Sequence, residues 1–71
     1  MLFTSDELDI MRNEIFARHG HIFKTARFRN YFDAASWYKA TVNDATGLLS
    51  ETERLIIEQI VTVQQIIKNA N

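Results

Sequence analysis

At 71 residues the chain has room for one domain, and a domain this short buries only about 60% of the surface its unfolded chain exposes. With no cysteine and no apolar run longer than three residues, it can hold no disulfide, no thiolate metal site and no membrane-spanning helix. A hydrophobic share of 46% argues against disorder, and a formal net charge of −1 argues against the strong overall field of a non-specific nucleic-acid binder. In chain order, Thr4 and Glu7 have capping-box spacing and Phe3 and Leu8 that of a hydrophobic staple, so a helix should begin at residue 5. Leu8, Met11, Ile15 and His19 recur on one face. Gly20 suits the left-handed position that ends a helix, which puts helix 1 at about residues 5–19.

His21-Ile22-Phe23-Lys24 is then a connector expected to bury Ile22 and Phe23. Thr25 can cap a second helix over about residues 25–34, with Phe28 and Tyr31 or Phe32 on its inner face. Ser36-Trp37-Tyr38-Lys39 reads as extended, with Trp37 and Tyr38 pointing opposite ways, and Asn43 to Gly47 as a turn-rich loop. Ser50 and Glu53 repeat the capping box and open helix 3, about residues 51–68. Its apolar stripe is expected to be Ile56, Ile60, Val63 and Ile67, bordered by Leu55 and Ile66. Ile57 and Val61 then lie well round the other side and would offer a self-association surface. The expected fold is all-α: a compact three-helix domain with an irregular Trp-Tyr segment packed between helices 2 and 3. It reads as one domain over residues 1–71, of a size that can be cut from a larger protein.

The charge is unevenly spread. Residues 1–11 carry −3, residues 12–39 carry +4 and residues 40–71 carry −2, and seven of the eight aromatics fall in the positive centre. Part of this pattern is helix electrostatics, since acidic residues gather in the first turns of the two long helices. Large aromatics also serve a small core that has no disulfide to support it. Arg27 and Arg29 around Phe28, followed by Tyr31, Trp37 and Tyr38, nonetheless form a sequence suited to stacking and to pairing with anions.

The densest polar cluster is Arg12-Asn13-Glu14 followed by Arg18-His19-Gly20-His21. Glu14 and Arg18 at i, i+4 make a weak surface pair if exposed. If Glu14 instead pairs with a covered Arg12 or Arg18, Glu14→Gln should destabilise the fold. Glu14, His19 and His21 contain the atoms for a metal site or a general base, but Glu14 and His19 stand about 140° apart on a helix and converge poorly. No nucleophile constellation or glycine-rich phosphate loop is present.

Met11-Arg12-Asn13-Glu14-Ile15-Phe16-Ala17-Arg18-His19-Gly20-His21-Ile22-Phe23 resembles the signature of the YARHG domain family, with Phe16 in place of the tyrosine of the name. The resemblance runs on through Tyr31-Phe32, Ser36-Trp37-Tyr38, Leu49, Glu53 and Ile57, over roughly residues 4–68. Phe16 lacks the phenol hydroxyl, and Ala40 stands where the family often has proline. The resemblance implies a small bacterial domain regarded as extracellular, often appended to other modules, with no catalytic residues to carry over. It implies a secreted, periplasmic or cell-surface location, although the first residues lack the basic and apolar regions of a secretory signal. Arg12, Asn13, Glu14, Arg18, His19 and Gly20, with Trp37 and Tyr38, match the motif and read as a network that defines the fold.

The expected function is a non-catalytic binding or interaction module. Its candidate ligand face is Arg27, Arg29, Trp37, Tyr38 and Lys39, suited to a protein or an anionic envelope polymer. The alternative is a structural or oligomerising domain acting through helix 3 at Ile57 and Val61. Nucleic-acid binding is a lesser alternative, and no catalytic, cofactor or metal site is expected.

Overall fold

The computed structural model describes residues 3–70, which form three α-helices and no extended strand: α1 (Ser5–Arg18), α2 (Ala26–Asp33) and α3 (Glu51–Asn69). Both capping boxes form. Glu7 N–H donates to Thr4 Oγ1 at 3.1 Å and Thr4 N–H donates to Glu7 Oε1 at 2.9 Å, satisfying donors that the first turn of α1 leaves free. Ser50 and Glu53 repeat the arrangement at 3.1 and 2.8 Å at the start of α3. Thr25 occupies the N-cap position of α2, but its side chain makes no capping bond.

α1 ends in a Schellman motif. His21 N–H donates to Phe16 O at 3.2 Å and Gly20 N–H to Ala17 O at 2.9 Å, while Gly20 adopts φ 83°. The reversal brings residue 20 beside the later loop. Gly20 O accepts from Thr41 N–H and Val42 N–H, and Ile22 N–H donates to Val42 O at 2.8 Å. His21 and Val42 thereby form a single parallel bridge. Extended pairing lies here rather than at Ser36-Trp37, which occupy a turn closed by Tyr38 N–H on Ala35 O at 3.2 Å. The reason is local: α2 runs to Asp33, and the chain must reverse at once to return to Gly20.

The Trp-Tyr segment follows α2, and its rings pack on Phe32, with Tyr38 also against Phe23. Ala17, Phe23 and Phe32 are buried together, with Phe16, Phe28 and Tyr38 around them. The Phe23 and Phe32 rings stack at 4.9 Å. Tyr38 faces inward, its hydroxyl donating to His21 O. Burial and the nearby Asp33 carboxylate raise its pKa above the ordinary 10.0, keeping the phenol a donor.

α1 packs against both other helices, so it has no single buried stripe: Leu8 and Ala17 are buried, Met11 is exposed, and Asp9, Arg12, Asn13 and His19 are half-buried. α1 and α3 run antiparallel. His19 meets Glu53 at one end, and at the other Gln64 Nε2 donates to Asp9 Oδ1 at 2.6 Å and to Ser5 O at 3.2 Å. These anchors set the rotation of α3, since residues 53, 57, 60 and 64 share a face at i, i+4, i+7 and i+11. Ile60 is buried, and Ile57, Val61, Gln64 and Ile67 are half-buried. Leu55, Ile56, Val63 and Ile66 are exposed. The expected stripe is thus rotated, and Ile57 and Val61 belong to the packing side rather than to a free self-association surface. An apolar count alone overlooks the polar anchors Glu53 and Gln64.

Asp9 joins all three helices. Its carboxylate takes the Gln64 amide from α3 and lies 3.4 Å from Arg27 Nη1 of α2, while its carbonyl accepts from Asn13. Asp9→Ala should cost about 1–2 kcal/mol, read as a lower thermal midpoint by circular dichroism. With Gln64→Ala the two losses should be less than additive; full additivity would show that the contact carries no coupling.

Candidate functional site

Glu53 serves two elements at once. Its carboxylate caps α3 and also receives His19 Nε2 at 2.9 and 3.0 Å, tying the C-terminus of α1 to the N-terminus of α3. The Ser50 backbone N–H, and then the His19 hydrogen bond, hold the Glu53 carboxyl below its ordinary 4.5. Thr4 does the same for Glu7. Below pH 4.5 the unfolded chain therefore binds more protons than the folded one. Stability should be full above that pH and fall as the pH drops through the lower folded values. Urea unfolding from pH 7 to 3 should show this decline, and Glu53→Gln should flatten it. Parallel slopes in the two proteins would contradict the assignment.

The motif residues divide between scaffold and surface. Gly20 and His19 hold the α1 terminus. Glu14 is a surface residue, 3.8 Å from an equally exposed Arg18, and not the partner of a covered arginine. Glu14→Gln should therefore leave the melting curve within about 0.5 kcal/mol of the parent. His19 and His21 do not converge: His19 goes to Glu53, whereas His21 Nδ1 accepts Ala45 N–H at 3.2 Å. Among the described residues no group of three or more histidine, aspartate or glutamate side chains gathers where a metal could sit.

The expected ligand face does not form one surface. Arg27 is drawn to the first turns of α1, with Nη2 at 3.3 Å from Asp6 O and Nη1 at 3.4 Å from Asp9 Oδ2, and its guanidinium also lies over the Phe28 ring. Tyr38 is turned into the core. Arg29, Trp37 and Lys39 are exposed, Trp37 at 39%, and the Arg18 guanidinium lies over the Trp37 ring at 4.1 Å from its centroid. Two of the six basic residues of segment 12–39 are thus spent on contacts within the domain, Arg18 on Trp37 and Glu14, and Arg27 on Asp6 and Asp9.

A different site opens on the other side of the motif. An open cleft of about 560 Å³ is lined by Arg12 and Asn13 of α1, His21 to Thr25 of the connector, Phe28 of α2, and Asn43 and Asp44 of the loop. Phe23 and Phe28 supply an aromatic wall, and Arg12, His21, Lys24 and Asp44 supply the charged and polar groups. Arg12 Nε is covered and has no hydrogen-bond partner. Asp44 is oriented by Thr46, whose N–H and Oγ1–H both donate to Oδ1, at 2.9 and 2.6 Å. The sequence places Arg12, Asn13 and His21 in the motif and Lys24 in the connector that follows, but does not join them to Asn43 and Asp44, which only the Gly20 reversal and the His21–Val42 bridge bring alongside.

No helix among the described residues is long and apolar enough to cross a membrane. No curated protein and no solved structure gives a significant match to the chain. The family model of the YARHG domain matches residues 3–65, nearly the whole of the folded unit described above, and the chain belongs to the YARHG domain family.

Proposed function

We propose that this domain is a non-catalytic binding module of the extracellular space or cell envelope, which takes a protein or an anionic envelope polymer into the cleft beside Arg12 and His21. The cleft carries the reading: an aromatic wall edged with a few charged and polar groups, Arg12, His21, Lys24 and Asp44, is the composition of a ligand site. The extracellular assignment follows from the resemblance of the motif. The test is a titration of the ¹⁵N-labelled domain with solubilised cell-wall fragments. Saturable shifts of residues 21–25 and 43–45 are expected, with retained binding when the exposed Arg29, Trp37 and Lys39 are replaced together. Binding abolished by that triple replacement, in a protein that still folds, would move the site to the basic-aromatic centre.

The exposed Leu55, Ile56, Val63 and Ile66 of α3 favour a second reading, in which two copies of the chain pair through this face. Light scattering should then show a dimer that Ile66→Lys dissociates. A monomer at millimolar concentration removes this alternative.

A further inference from the structure

We propose that the cleft recognises a carboxylate carried on an organic body, either a free small acid or the free end of a peptide stem, with Arg12 as its principal anchor. The inference rests on the cleft being the ligand site proposed above. Arginine presents a planar fork of donors matched to a carboxylate, and Arg12 lines the cleft half-buried while the ion pairs of the described residues engage Arg18, His19 and Arg27 and leave it without an acidic partner. Neighbouring groups point the same way. Lys24 adds a second positive charge at the cleft. His21 accepts Ala45 N–H through Nδ1, so the proton of the neutral ring resides on Nε2 and makes that nitrogen a donor.

Asp44 discriminates among anions. Its bonds from Thr46, and then the nearby His21, hold its carboxyl below the ordinary 3.8, so a negative charge is fixed at the cleft at neutral pH. A monoanionic carboxylate meets less repulsion from Asp44 than a doubly charged phosphate does. Oδ1 of Asp44 is occupied by Thr46, which leaves Oδ2 to accept from a hydroxyl or ammonium group on the ligand. Phe23 and Phe28 give the ligand body an apolar wall.

The experiment uses the ¹⁵N-labelled chain and follows residues 21–25 and 43–45. The probes are phenylacetate, its neutral isostere phenylacetamide, an acetylated tripeptide with a free or amidated C-terminus, and inorganic phosphate. Phenylacetate should bind saturably and at least about tenfold more tightly than the amide, the usual advantage of a charge-assisted pair. Arg12→Gln should erase that difference, whereas Lys68→Gln, remote on α3, should preserve it. If Arg12→Gln does not fold, the exposed Lys24→Gln takes its place, with a smaller loss expected. Tighter binding of the free-ended peptide than of phenylacetate would identify a peptide stem as the source, and the reverse order a small acid.

Acid and amide binding equally, acid binding unchanged in both the Arg12 and Lys24 variants, or phosphate binding as tightly as phenylacetate would each overturn the carboxylate assignment. Equal saturable binding of acid and amide at the cleft would do so while leaving the binding-module reading intact. No shift with any probe would overturn the assignment, and the cell-wall titration would then decide the broader reading separately.

Discussion

Phe32→Ala should leave the domain largely unfolded at 25 °C. The Phe32 ring is fully buried, stacked on Phe23 at 4.9 Å and met edge-on by Tyr31 at 5.0 Å and Trp37 at 6.2 Å. Removing such a ring costs about 3–5 kcal/mol through lost transfer energy and the cavity left behind. Chains of this length rarely have more than about 3–5 kcal/mol of stability in total. Phe32→Leu keeps much of the volume and should cost about 1–2 kcal/mol, remaining folded with an earlier urea midpoint. Far-UV circular dichroism with urea titration distinguishes the two. A cooperative, parent-like transition for Phe32→Ala would mean that the aromatic cluster is not what holds α2 to the rest of the chain.

Gly20→Ala is expected to be nearly as damaging, for a different reason. At φ 83° a side chain costs about 1–2 kcal/mol from backbone sterics alone. A Cβ at this position would also collide with Thr41 Oγ1 and sit 3.1 Å from Lys39 O. The whole effect should reach about 2–4 kcal/mol, because the loop carrying Thr41 and Val42 must move off Gly20 O. Adding Thr41→Ala removes the colliding oxygen and should recover part of the loss, leaving the backbone cost. Unfolding curves of the single and double variants separate these contributions, and no recovery in the double variant would place the whole cost in the backbone. The cleft assembles on this same crossing of residues 20–22 and 41–42, so Gly20 supports ligand binding through the fold even though it is not among the residues lining the cleft.

The candidate site shows how little a motif reveals of its own use. Arg12, Asn13 and His21 are adjacent in a recognisable run, yet His19 from that run is consumed by Glu53 and Glu14 is left in solvent. The positive centre suggested an anion surface at Arg27 to Lys39, and the fold instead spends Arg27 on Asp6 and Asp9. Opposite charges far apart in sequence neutralise one another once helices pack, which no local charge count can register.

The chain alone was sufficient for features whose causes lie within a few residues: both capping boxes, the glycine-terminated α1, the limits of the three helices to within about two residues, and the family. These depend on hydrogen bonds between positions i and i+3 and on one backbone conformation open to glycine. Tertiary structure alone decided the rotation of α3, the three-helix role of Asp9, the His19–Glu53 tie and the cleft. Each joins residues separated by a turn or a whole helix. Helical periodicity states which residues share a face but not which face a neighbour covers; that choice rests on polar anchors such as Glu53 and Gln64, which no apolar pattern contains.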